Sequence, residues 1–348
     1  PNIPFFHYSM IPYYSGVLKQ TMIVPNSKLI LKWVLLLLGV LWLTGVSFVF
    51  VSCSTGYKDT VDKTKKTVTK TTQKLTRKIR FSDDDLQRMA AVIGFENKSL
   101  YRSQEFTLLF RKGIPEYLNN ECDDVTAANS DDDENLKGFK ELPKLPSGQV
   151  DNFSLAIIGR ELGLNAVVTG SLDDIGLLDE LRGMVWKDTH HLIQILVSIE
   201  VYDTETGAKI LDQGFSRKVE IEELDYELMQ SEGKMILPDL NETLSDLIKE
   251  MGETICWAVE DQSWNGFIIA VDGDKIILSA GSRVGLESGD EFEVFDTSRI
   301  IEGLNGQRFF YHGQKTGEIR IIEVEPNKAK AVIVSDKGIK TGNSVRVK

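Results

Sequence analysis

The chain is poor in the residues that carry most metal and covalent chemistry. It has three cysteines, Cys53, Cys122 and Cys256, and four histidines in 348 residues. No two cysteines stand close enough for the Cys-x-x-Cys pattern of a zinc or dithiol site. His190 and His191 are adjacent, so in a strand they face opposite sides and do not share one metal ion. His312 stands alone beside Tyr311. There is no His-Glu-x-x-His, no nucleophile elbow and no glycine-rich phosphate loop. The acidic run 131–134 lacks the alternating ligands and central glycine of a calcium loop and reads as solvated. Asp173, Asp174 and Asp179 follow an expected strand end, where sheet proteins often hold ligands; they are read as turn formers. The expectation is a chain with no metal, no cofactor and no catalytic activity.

Negative charge is missing from the front. Residues 1–52 hold Lys19, Lys28 and Lys32 and no acid, while the remainder has 37 basic against 52 acidic residues, a net −15. A surface of that sign repels a nucleic-acid backbone, so bulk nucleic-acid binding is not expected, a local basic patch being a separate matter. What the front does have is an apolar run at 33–51, long enough to cross a bilayer, behind the short cationic "MIVPNSK". Residues 1–21 begin with proline and show no periodic pattern, so Met22 is expected to be the initiator and 1–21 upstream translation. Residues 22–52 then read as a signal peptide, with the positive flank placing the rest outside the cytoplasm.

The run stops at Phe50-Val51-Ser52-Cys53, which resembles a bacterial lipobox. A small residue precedes the cysteine as in that family; Phe50 departs from the usual leucine. The resemblance implies that the Cys53 thiol carries a diacylglycerol and that its new amino terminus can take a third chain. Two or more chains anchor stably where one does not. An uncleaved signal anchor with an incidental cysteine is the alternative. Ser54, where sorting to the inner membrane uses aspartate, implies the outer membrane by the same resemblance. Residues 53–85 form the lipidated cysteine and its tether. Within it, 57–80 hold nine basic and two acidic residues, suited to anionic lipid or cell-wall polymer, or simply to water.

Residues 86–262 read as an α+β or α/β domain with a mixed or parallel sheet. "RMAAVIGFEN" is a strand, and Phe106, Leu109, Phe110 and Tyr117 give helical spacing behind an N-cap at Ser103. Pro115 forfeits a hydrogen bond there and predicts a kink or break. Phe153, Ile157 and Leu162 mark a second helix ended by Gly163, and 166–170 a buried strand. Ile193, Ile195, Val197, Ile199 and Val201 alternate on one face. A turn over 204–207 and a return over 208–219 complete a long antiparallel hairpin. Neither face of the return strand suits lipid, which sets the hairpin apart from a membrane-spanning one. Leu240, Leu244, Leu247, Met251, Ile255 and Ala258 form the stripe of a last helix opening at Pro238, with Cys256 and Trp257 as packing residues. Cys122 and Cys256 can pair in an oxidising compartment; two buried thiols are the alternative.

Residues 263–348 alternate strands with glycine turns and predict a small all-β barrel-like domain. Gly285, Gly289 and Asp290 mark one turn; Gly342-Asn343 stands where a second Gly-Asp is expected. "AAVIGFEN", "LAIIGRELGLNAVVTGSLDDI" and "VSIEVYDTETGAKI" resemble the curli-secretion lipoprotein family, the middle domain of the flagellar assembly protein T, and the amino-terminal domain of the Tol-system protein TolB. The 285–290 turn is similar to the carboxy-terminal domain of flagellar protein T. The resemblance covers about half of the chain and implies an envelope location, self-association or assembly work, with no catalytic residues to carry over.

The expected function is noncatalytic: a periplasmic lipoprotein, held at the outer membrane, acting in envelope assembly or as a scaffold. Expected partners are the membrane through the lipid anchor, further copies of the chain or other envelope proteins, and peptidoglycan. An outer-membrane secretion channel component and a cell-wall or polysaccharide binding module are the alternatives. Cys53→Ala is expected to yield an unprocessed precursor without acyl chains, read by intact mass of the membrane fraction. A fully processed, membrane-held variant would contradict the anchor.

Overall fold

The computed structural model describes residues 82–100, 105–129, 136, 142–184, 186–232 and 240–348. Cys53 and its flank Phe50, Val51 and Ser52, the apolar run, the tether, Ser103, the acidic run 131–134 and Pro238 lie outside them. Everything described belongs to one compact unit.

The first part is a curled, mixed five-stranded sheet in the order β2-β1-β3-β4-β5. Strand β1 (Arg88–Asn97) pairs in parallel with β2 (Val125–Asn129) on one side and with β3 (Ala166–Arg182) on the other. Strands β3, β4 (Asp188–Asp203) and β5 (Lys209–Glu220) run antiparallel in sequence. The five alternating residues of β4 are all buried to 1 % exposure or less. They pack with Phe110, Ile114 and Leu118 of helix α1 (Glu105–Glu121). Each such burial contributes roughly 1.5–3 kcal/mol.

Helix α1 runs through Pro115 without a break. The residue is buried, so its ring occupies core space while the helix gives up one hydrogen bond. The last helix of this part, α4 (Asn241–Glu260), buries Leu244, Leu247, Met251, Ile255 and Val259 on the same sheet face; a third helix, α3 (Glu223–Glu232), precedes it. Val259, rather than Ala258, completes the stripe, and Trp257 is 80 % exposed instead of packed. Two residues along a helix turn a side chain by about 200°, which carries 257 to the side opposite a stripe defined by 251, 255 and 259. Cys122 and Cys256 are joined as a disulfide that ties the end of α1 to α4, their Cα atoms 6.1 Å apart.

The opposite sheet face packs on helix α2 (Asn152–Leu162) through Leu155, Val167 and Tyr202. Asp151 caps α2 by accepting from the Ser154 amide at 3.1 Å, and Gly163 closes it in the left-handed region at φ 72°. A Cβ on Gly163 would overlap the carbonyl oxygen of Ser279, so only glycine lets the helix end so close to the barrel.

The second part is a closed six-stranded antiparallel barrel, ordered β11-β12-β7-β6-β13-β8. Its strands are β6 (Gly266–Asp272), β7 (Lys275–Leu278), β8 (Glu291–Phe295), β11 (Lys315–Val324), β12 (Ala329–Asp336) and β13 (Ser344–Val347). A two-stranded flap, β9 (Ile300–Glu302) with β10 (Arg308–Phe310), leaves it between β8 and β11. Leu86, just ahead of β1, sits in the barrel core beside Trp264 and Phe292.

Sheet and barrel meet at the 203–207 turn of the β4–β5 hairpin. Asp203 shapes it by accepting from the amides of Glu205 (3.0 Å) and Thr206 (2.9 Å). Glu205 points inward and pairs with Arg346 (2.7 Å) and His312 (3.2 Å) of the barrel part. From α2, Arg160 donates to the carbonyls of Thr204 (3.0 Å) and Glu205. Its guanidinium lies 3.5 Å from the Phe310 ring centroid of the flap. Burial raises the Glu205 pKa, but the hydrogen bonds from His312 and Arg346 outweigh it and hold the carboxyl at about 2. Burial brings Arg160 down to about 10. A second fastening lies beside it: Asn165 accepts from the Met89 amide (2.9 Å) and donates to Asn265 (2.7 Å).

A carboxyl depressed on folding stabilises fully above its unfolded pKa, near 4.5, and loses that contribution as pH falls through about 2. Glu205→Gln is therefore expected to lower unfolding free energy at neutral pH by about 3 kcal/mol. The gap to the wild type should close between pH 4.5 and 2. Urea denaturation across that range checks it; an equal gap at every pH would contradict the pairing.

Candidate functional site

Strands β3 and β4 outrun the rest of the sheet. Their register continues to Arg182 opposite Asp188, past the last partner of β1 at Leu172. Beyond that point they form a two- to three-stranded arm. Asp173, Asp174 and Asp179 lie within β3 instead of in a turn after it. A bulge between Leu172 and Asp174 shifts the strand there. Past the bulge Asp174 and Asp179 are exposed while Ile175 between them stays buried, which is why the stretch carries much of the composition of a loop.

The tip of the arm is apolar and uncovered. Met184 is 99 % exposed and Trp186 85 %, with Leu181 (64 %) and, on α3, Leu224 (64 %) near the same end. Arg182 and Lys187 flank the tip. Exposed apolar side chains are ordinary when single; several at one projecting end mark a contact surface.

Helix α3 is clasped to the arm by His191. The ring stacks on Tyr226 with centroids 3.7 Å apart. Its Nδ1 meets Asp179 at 2.8 Å and its Nε2 meets Glu223 at 3.0 Å. Tyr226 donates to the other oxygen of Asp179 at 2.9 Å. The Asp179 hydrogen bond raises the His191 pKa above 6.5, and the same contacts hold the Asp179 carboxyl low. His190, on the other face, pairs with Glu220 of β5 at 2.6 Å, and Arg182 bridges Glu180 and Glu220. The two adjacent histidines thus serve two different elements. Sequence reading passed over both α3 and the tip. The only cue was Met184 and Trp186 between two charged strand ends.

The remaining candidates lie elsewhere. Gly285 and Gly289 adopt φ of 91° and 103°, and Asp290 accepts from the Glu287 amide at 2.7 Å to close the turn before β8. Asn343 does the same for the Lys340 amide at 2.9 Å, behind Gly342 at φ 87°. An amide oxygen is therefore as good as a carboxylate at that place. Cys122, Cys256 and Glu260 offer ligand atoms within 4.8 Å of one another, but the disulfide takes up both sulfurs. Among the described residues no helix is long and apolar enough to cross a membrane.

No family model matches the chain. An uncharacterized protein of Aquifex aeolicus is 28 % identical over 85 residues, which are 24 % of this chain and 17 % of that protein. The match therefore spans less than a fifth of that relative's length. Several solved bacterial structures, lipoproteins among them, are distantly similar. A hypothetical protein of Chlamydia trachomatis is 13 % identical over 51 % of this chain and 99 % of its own, at a TM-score of 0.33. A lipoprotein of Neisseria meningitidis is 12 % identical over 48 % and 97 %, at 0.28. The dodecameric PelC of Paraburkholderia phytofirmans is 13 % identical over 49 % and 86 %, at 0.25.

A histidine whose pKa rises on docking holds its partner fully below about 6.5 and releases it as pH climbs through the raised value. Amides of 223–232 are expected to be better protected from hydrogen exchange at mildly acidic than at mildly alkaline pH, after correction for intrinsic rates. His191→Gln should abolish the difference. Protection independent of pH in the wild type would contradict the clasp.

Proposed function

We propose that the protein is a noncatalytic, lipid-anchored assembly protein of the bacterial envelope, joined to further copies of itself through the β3–β4 arm. The observation that carries this reading is the arm: a paired lever, braced by α3, whose end presents Met184 and Trp186 with nothing among the described residues to cover them. Such a surface gains free energy only by meeting a second body.

The compartment is supported by the disulfide between Cys122 and Cys256, which persists outside the reducing cytoplasm. The cationic front, apolar run and Cys53 support the same side of the membrane. The noncatalytic reading is supported by how the chemistry-bearing side chains are spent. Each of the three histidines among the described residues fastens one element to another: His190 to Glu220, His191 to Asp179 and Glu223, His312 to Glu205. The resemblance to curli-secretion and flagellar protein T families fits this reading. Asp179, Glu180 and Arg182, all within the last turn of strand before the tip, weigh against an arm that crosses lipid as a channel wall.

The test is the mass of the full chain, extracted from membranes in detergent, by size exclusion with light scattering. The wild type is expected to be a discrete oligomer, and Met184→Ser with Trp186→Ser to reduce it to smaller species while leaving circular dichroism unchanged. A monomeric wild type, or a double variant of unaltered mass, would overturn the reading.

A further inference from the structure

The face of the sheet that carries α2 changes character along β3 and β4. At the α2 end the cross-strand pair is Val167 with Tyr202, under Leu155. The next two pairs on that face are Thr169 with Glu200 and Ser171 with Ser198. Thr169 and Ser171 are only 4 % and 3 % exposed. Apart from Arg88 and Asp203 at strand ends, buried strand positions elsewhere in this sheet carry no polar side chain, and hydroxyls there contribute less than methyl groups unless they have polar partners. Above these pairs opens a cleft of about 260 Å³, walled by the 142–150 segment and the end of β1.

The cleft's charges are already balanced. Lys144 is held by Glu96 at 2.6 Å. Lys209 is held by Glu200 at 3.0 Å, and Tyr202 donates to the same carboxylate at 2.6 Å. Lys98 donates to Ser171 at 2.8 Å and lies 3.5 Å from Asp173. Ser171 also meets Ser198 at 3.0 Å. An anion entering here finds ammonium groups already neutralised and two glutamates in the wall; a cation finds the lysines. A neutral ligand bearing many hydroxyls meets donors and acceptors in fixed alternation, with no net charge to desolvate.

From this we infer that the cleft is a binding site for a neutral carbohydrate, one or two rings of a glycan chain, in contact with Ser198, Glu200 and Lys209. The volume lies just below the usual range of about 300–1,000 Å³ for small-molecule pockets, which suits a short saccharide end rather than a long segment. The cleft stands on the body of the sheet, so the inference is independent of the arm and its proposed partner.

The test is saturation-transfer NMR and calorimetry on the full chain in detergent, with N,N′-diacetylchitobiose and maltotriose as neutral probes and trigalacturonic acid as the charged one. At least one neutral probe is expected to bind in the millimolar range or tighter, and more tightly than the acid. Lys209→Met, on the rim, and Ser198→Val, on the floor, should each weaken it about tenfold. Thermal melting is followed for both variants, and the rim variant keeps the test valid if the floor variant fails to fold. Absence of transfer from both neutral probes, stronger binding of the acid, or affinity unmoved by Lys209→Met would overturn the inference.

Discussion

The structure depends on a carboxylate buried where two parts of the chain meet. Glu205, at the apex of the β4–β5 turn, enters the barrel part and is paired there with Arg346 and His312, while Arg160 grips the backbone behind it. Taking these charges out of water costs several kcal/mol each, and an apolar contact of the same size would be no less stable. What the ionic contact adds is direction. Its hydrogen bonds form in one geometry only, so the turn docks in one pose. Around it, Gly163 admits α2 against Ser279, and Asn165 spans from Met89 to Asn265. Leu86 places the entry to β1 in the barrel core. Sheet and barrel are thereby fixed to each other by contacts from three separate stretches of the sheet part.

That fixed seam gives the arm its mechanical sense. Strand β4 starts at the tip and ends at Asp203 in the seam, a continuous run of 16 residues. At about 3.3 Å per residue it is a lever of roughly 50 Å. A lever with one end clamped can present its other end in a defined place. The clasp of His191 and Tyr226 on α3 stiffens the part that no longer has β1 beside it. The disulfide holds α1 to α4 on the far face, so the helical layer cannot slide while the sheet is held. Clamped seam, braced lever and apolar end form one sequence of physical dependence, in which each piece needs the one before it.

Elements with a strong local period were legible in the sequence. β1, the β4–β5 hairpin and the barrel strands follow from alternation and glycine turns, since a buried face writes itself into every second residue. The outer half of β3 was not legible, because in "DDIGLLDELR" Ile175 alone is buried, so the stretch lacks the repeated apolar alternation that marks strands. Helix α3 is short and mostly polar, with Met229 as its buried anchor. Trp257 is exposed although large aromatic residues are usually buried, because two helical steps from Ile255 carry it off the stripe. The seam was invisible to any local reading. Arg160, Glu205, His312 and Arg346 are scattered over nearly two hundred residues, and each alone looks like an ordinary surface charge. The carbohydrate cleft shares that difficulty: Thr169, Ser171 and Ser198 read as mild interruptions of apolar strands, and only register brings them together.

The most direct measurement of the central claim is hydrogen exchange of the full chain in rising urea, followed by mass spectrometry peptide by peptide. If the buried turn joins sheet and barrel into one cooperative body, peptides from β4 and from β8 will lose protection at the same urea concentration and with the same slope. If β8 opens at a clearly lower concentration while β4 stays protected, the barrel is a separate unit and the seam does not hold the structure together.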